Sequence, residues 1–192
     1  SKMPITIRSL TALPSELKPE VVDAIRNACE AAAIAKAIEL WGDIRLTSRD
    51  LNGTDMAYAN NVFTETSNAT INQWNAMAFG AFAVARATVI GIYGLRIQTL
   101  PDATIDFPPI TGVRIDVGGA RVAQWHTQQG DTYTSAASTA PLHAIPLVTK
   151  SPIVIGEDIT VTIFEYTRTA STVYVPCWMG VTIEKEGTTL RP

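Results

Sequence analysis

At 192 residues the chain is long enough for one compact core with an appendage and too short for two large domains. Hydrophobic residues make up 46% and charged residues only 17%, below the roughly 25% of an ordinary globular protein, which excludes a solvated disordered chain and implies an unusually neutral surface. With 15 Lys and Arg against 18 Asp and Glu, no cation excess is on hand to neutralise a phosphate backbone, so no direct nucleic-acid binding is expected.

Residues 1–14 read as an extended arm: Pro4 to Leu10 follows the strand period, with Ile5, Ile7 and Leu10 apolar, and Pro14 closes it. A lone strand is marginal in water, so the arm is expected to add to the edge of a neighbouring sheet, in its own subunit or another's. It has no basic-then-apolar leader pattern, and cytoplasmic synthesis is expected. Residues 15–42 read as a helix, with Pro19 at a first helical position and Glu20 and Asp23 in the first turn. Val21, Val22, Ile25, Ala28, Cys29 and Ala32 form one face of its first half. The second half, Ala31 to Trp41, is apolar on nearly every side and stops at Gly42, which predicts burial on more than one side. Ile34, Ile38 and Trp41 are therefore candidate subunit contacts, together with Ile5, Ile7 and Leu10 of the arm.

Residues 43–192 read as a single β domain. The Asp43 to Asn75 stretch predicts irregular chain with one or two short strands and turns at Asn52-Gly53 and Ser67-Asn68. Strand-like segments follow: Ala76 to Ile97 with bends at Gly80, Gly91 and Gly94, then Val113 to Val117, Val122 to Thr127, Ala144 to Val148, Ile159 to Tyr166 and Val173 to Glu184. Gly118-Gly119 is a two-residue hairpin signal. Thr162, Phe164 and Tyr166 alternate against Ile163, Glu165 and Thr167. Without a long helical pattern after Trp41, a doubly wound α/β fold is excluded, and a mainly β antiparallel sandwich or jelly-roll barrel is expected. Arg86 and Arg96 interrupt the longest apolar stretch, so any membrane contact is expected to be peripheral. No Lys occurs between Lys36 and Lys150, where the cations are all Arg; Lys is depleted and Arg enriched at protein interfaces.

Chemistry-bearing residues are sparse. His126 and His143 stand alone, Cys29 and Cys177 form no C-x-x-C pair, and no Gly-x-Ser-x-Gly elbow occurs. Asp102, Asp106, Glu157 and Asp158 occupy turn-like positions that match no ligand spacing. No catalytic residue, cofactor or metal is therefore expected, nor any carboxylate with both a partner and a reason for a shifted pKa. Trp74, Trp125 and Trp178 fit either core or interface anchors or a sugar-stacking platform; Trp125 joins the candidate subunit contacts.

Gly91-Ile92-Tyr93-Gly94-Leu95, Ile110-Thr111-Gly112-Val113-Arg114-Ile115-Asp116-Val117-Gly118-Gly119 and Val122-Ala123-Gln124-Trp125-His126 are followed by Ser151 to Val161 and by Met179 to Gly187. In strand rhythm and hairpin phrasing, over about residues 76 to 187, this succession resembles the single jelly-roll major capsid proteins of tailless icosahedral viruses with an internal membrane, known from thermophilic bacteria and haloarchaea. The resemblance implies a structural coat subunit of the virion, made in the host cytoplasm. Such a subunit packs as a dimer or higher oligomer with copies of itself or with a second coat protein, and it has no catalytic residues. A carbohydrate- or receptor-binding β-sandwich, such as a spike or lectin-like module, is the alternative.

Overall fold

The computed structural model describes residues 19–42, 45–99, 109–126, 133–134 and 147–186. One helix, α1 (Pro19–Trp41), precedes ten strands: β1 (Leu46–Asp50), β2 (Glu65–Thr66), β3 (Gln73–Ala83), β4 (Thr88–Thr99), β5 (Ile110–Val117), β6 (Ala120–His126), β7 (Tyr133–Thr134), β8 (Leu147–Ile155), β9 (Thr160–Thr167) and β10 (Val173–Lys185). They form two sheets. In the six-stranded sheet β1, β10, β4 and β7 are neighbours in that order, with β2 also on β10 and β8 on β4; the four-stranded sheet runs β3, β9, β5, β6. All pairings are antiparallel except the two-residue contact of β7 with β4. The chain is mainly β, a sandwich of two sheets with one N-terminal helix.

The main core fills the space between the sheets with Ile90, Ile92, Leu95, Ile97, Ile153, Ile155, Tyr174 and Trp178 from one side and Met77, Ile110, Val113, Ile115, Trp125, Val161 and Ile163 from the other. A second cluster lies on the opposite face of the six-stranded sheet, where Cys29, Ala33 and Ala37 of α1 meet Val89, Tyr93, Val181 and Ile183. The central strand β4 is consequently buried on both faces, which is why Thr88 to Ile97 reads as a nearly continuous apolar run and not as an alternation. One extra residue, Tyr93, shifts the register of β4 against β10, and the pairing with β8 breaks at the same place, where residues 149–152 of β8 lie opposite Tyr93. The bulge puts Ile90 and Ile92 before it and Leu95 and Ile97 after it into the same core.

Several boundaries differ from the sequence reading. Ala76 to Ile97 is two strands in different sheets, and the turn between them falls at Val84 to Ala87, where Ala87 adopts φ 59°. A turn carried by alanine has no compositional flag. β8 runs through Pro152, because the ladder with β4 is interrupted between Val148 and Ile153 and no N–H is required there. β10 likewise carries Pro176, between the part of its outer flank that pairs β2 and the part that pairs β1. The turn at Asn52-Gly53 is borne out as a capped 3-10 turn, and the Gly118-Gly119 hairpin joins β5 to β6 with φ of 57° and 82°.

The helix departs from expectation in orientation. Gly42, at φ 79°, donates to the Ile38 carbonyl and ends the helix as predicted. The face laid on the sheet, however, is the narrow Cys29, Ala33, Ala37 stripe, while Val21, Ala28, Ala31, Ala35 and Ile38 face outward. Small side chains win because they allow close approach to Gly91 of β4, where a Cβ would stand 2.8 Å from the Cys29 sulfur. Among the described residues the second half of the helix is thus buried on one side only.

Candidate functional site

Of the expected subunit contacts, Ile5, Ile7 and Leu10 lie outside the described residues. Ile34 is half-buried at the margin of the helix–sheet cluster, and Ile38 is 47% exposed. Trp41 is half-buried, with its indole N–H donating to Glu157 Oε1 at 2.9 Å. That bond, with a second from the Ala87 amide to Glu157 Oε2 at 2.6 Å, holds the Glu157 carboxyl below its ordinary pKa and pins the helix end to two turns. Trp125 corrects the expectation: it is 2% exposed, 6.3 Å from the Trp178 ring, and fills the space between the sheets. Its alternating register on β6 points inward, so it has no area to offer a neighbour.

The outward surface of α1 is the first candidate interface. Val21, Ala24, Ala28, Ala31, Ala35 and Ile38 are all exposed and recur at alternating spacings of three and four, diametrically opposite the stripe packed on the sheet. Leu40, 40% exposed, lies off this stripe, on the sheet side beside Gly156.

The outer face of the four-stranded sheet is the second. Trp74 of β3 stands across Gly112, where a Cβ would meet its ring at 2.9 Å, and it contacts Tyr166 edge to face at 5.5 Å. The Arg114 guanidinium lies 4.0 Å from the centroid of Phe164 and 5.7 Å from that of Trp74, and pairs with Asp116 at 3.2 Å. Gln124 and His126 are exposed beside this cluster. A platform of Trp74, Trp125 and Trp178 does not exist: Trp125 and Trp178 are core residues, and only Trp74 reaches the surface.

A buried polar cluster was missed by the sequence reading. Glu65 of β2 is 3% exposed and Glu165 of β9 fully buried. Glu65 Oε2 accepts from the Ala78 amide and Glu165 Oε1 from the Asn68 amide, each at 3.2 Å. Burial, reinforced by the charge of Glu65, pushes the Glu165 carboxyl up to about 7 against the opposing Asn68 hydrogen bond, and burial raises Glu65 as well. The expectation that no carboxylate has both a partner and a shifted pKa is thereby overturned. The signal lay in the β9 alternation, which puts Glu165 on the face of Val161 and Ile163.

The turn carboxylates behave as expected of turn residues. Asp158 has φ 59° and pairs with exposed Arg86 at 3.2 Å, while Asp102, Asp106 and His143 lie outside the described residues. Among the described residues, no group of three or more His, Cys, Asp or Glu is placed to hold a metal ion, and no helix is long and apolar enough to cross a membrane. No protein-family model matches the chain, and no curated protein matches it significantly.

Proposed function

We propose that the chain is a jelly-roll coat subunit that builds an icosahedral virion shell by packing with copies of itself, with or without a second coat protein, and that it performs no catalysis. The observation that carries this reading is the strand order. Taken along the chain, β1, β3, β4, β5 with β6, β8, β9 and β10 alternate between the two sheets, and each sheet interleaves early and late strands. Such interleaving is what two nested Greek keys produce, and the jelly roll they form recurs in viral capsid proteins as well as in lectins and cupins. The apolar outward stripe of α1 supports self-association, since a stripe of exposed apolar residues at heptad-like spacing suits a second helix. The neutral, Lys-free middle of the chain fits the same reading, under which any contact with a viral membrane would be peripheral.

Electron microscopy of the purified full chain at increasing concentration tests this proposal. Closed shells or regular arrays support it, and dispersed monomers at every concentration count against it. The aromatic and arginine cluster around Trp74 favours a second reading, a carbohydrate- or receptor-binding module. Binding on a glycan array that is lost in Trp74→Ala, without any assembly, would select that alternative.

A further inference from the structure

The Glu65 and Glu165 pair does not serve either proposed surface, yet both carboxyls are buried, which is costly. Two carboxyl groups that are both ionised, buried and near each other are strongly disfavoured. The groups that face them are neutral: Tyr58 from the segment after the 3-10 turn (Gly53–Met56), Trp178 and Tyr174 from β10, Thr167 from β9, and the amides of Asn68 and Ala78. Tyr58 and Tyr174 are themselves raised by burial and stay as phenols. Glu165 Oε2, the Tyr174 hydroxyl and the Trp178 indole N–H are buried without a hydrogen-bond partner.

We propose that the buried cluster of Glu65 and Glu165 carries one proton and acts as a latch that fastens the Tyr58–Asn68 segment to β9 and β10, released when that proton passes to solvent. The segment is held by few backbone pairs and by the packing of Tyr58 and Phe63 on the core, which opening would have to give up. β2 pairs with β10 over two residues only, Thr66 with Val173 and Glu65 with Tyr174. Beyond it, hydrogen bonds cluster at one turn: the Ser67 amide donates to the Thr172 carbonyl at 2.9 Å, the Ser67 hydroxyl to the Thr169 carbonyl at 2.5 Å, the Ser171 amide to the Ser67 carbonyl at 3.1 Å, the Thr172 amide to the Ser67 hydroxyl at 2.9 Å and the Asn72 amide to the Thr167 carbonyl at 2.7 Å. Opening this turn exposes both carboxyls to water without parting the main sheet pairs, so it belongs to the class of local, sub-global openings.

The closed form binds one proton more than the open form between the ordinary carboxyl range and the raised value of Glu165. Opening should therefore grow easier as pH rises through that window and level off above it. Hydrogen exchange on the full chain, read at the Ser67 and Asn72 amides and divided by the intrinsic chemical rate, measures this directly. The opening constant is expected to rise roughly tenfold per pH unit from about pH 5 to about pH 7. In Glu165→Gln the dependence should shrink, and in the Glu65→Gln, Glu165→Gln double variant it should vanish. An opening constant that is flat in the unaltered chain, or a dependence that survives in the double variant, overturns the proposal. Infrared spectroscopy of the unaltered chain keeps the test decisive if a variant does not fold. A protonated-carboxyl band persisting at about pH 6, well above the range of free carboxyls, is required; its absence refutes the buried proton.

Discussion

The two faces of the six-stranded sheet are packed by opposite means. Toward the four-stranded sheet, Ile90, Ile92, Leu95, Ile97, Tyr174 and Trp178 fill the interior with large side chains. Toward the helix, Cys29, Ala33 and Ala37 sit over Gly91, Val89 and Val181, and the contact is close because almost nothing projects. Adjacent residues of one strand, Gly91 and Ile92, belong to the two regimes. The first is sensitive to lost volume and the second to added volume, because interiors are close-packed and relax only partially. The small-residue regime also dictates what the helix shows to solvent: with the alanine stripe turned inward, Val21 and Ile38 remain outside.

Substitutions at these two neighbours should separate the regimes. Ile92→Ala empties part of the inner core and is expected to cost about 2–5 kcal/mol, read as a lower urea midpoint. Gly91→Ala should cost about 1–3 kcal/mol by overpacking against the Cys29 sulfur. Adding Cys29→Ala removes that sulfur, so the double variant should recover part of the loss; strict additivity would show that Gly91 is needed for some other reason. The faces should also differ in pH response. Glu165 lies on the inner side with its pKa raised to about 7, so the folded state holds a proton that the unfolded chain releases near the ordinary carboxyl value. Stability should then fall as pH rises from about 4.5 to about 7, by about 1.4 kcal/mol per pH unit while one proton separates the states, and flatten above. On the helix side, burial pushes the Cys29 thiol up to about 12, so it stays protonated through that range. Cys29 should resist alkylation in the folded chain and half-buried Cys177 should react first, as mass spectrometry of the labelled protein would reveal.

How much of this the sequence carried differs between the same two regions. The two-residue hairpin at Gly118-Gly119 and the helix stop at Gly42 were legible because glycine at positive φ leaves a compositional mark, and the turn at Asn52-Gly53 because its capping side chain is an asparagine. The Val84 to Ala87 crossing between sheets was not, since its left-handed residue is an alanine. The facing of α1 was legible in part: Ile25 and Cys29 of the expected face meet the sheet, while Val21 and Ala28 stay outside because closeness to Gly91 selects the narrow stripe of Cys29, Ala33 and Ala37. Trp125 was taken for a surface anchor for want of its partner strand; the register Val113 to Trp125 turns it inward. Glu165 was visible in the β9 alternation, but the cost of burying it becomes apparent only when Glu65, about a hundred residues earlier, is brought to the same interior.

The central claim, that the outward stripe of α1 joins copies of this chain, is tested most directly by sedimentation velocity of the full chain and its Ile38→Glu variant over a wide concentration range. Ile38 is 47% exposed, so the substitution should alter folding stability by no more than about 0.5 kcal/mol. The account predicts concentration-dependent association of the unaltered chain and its loss in the variant, with the denaturation midpoint unchanged. A unaltered chain that remains monomeric at every concentration, or a variant that associates as strongly as its parent, would contradict it.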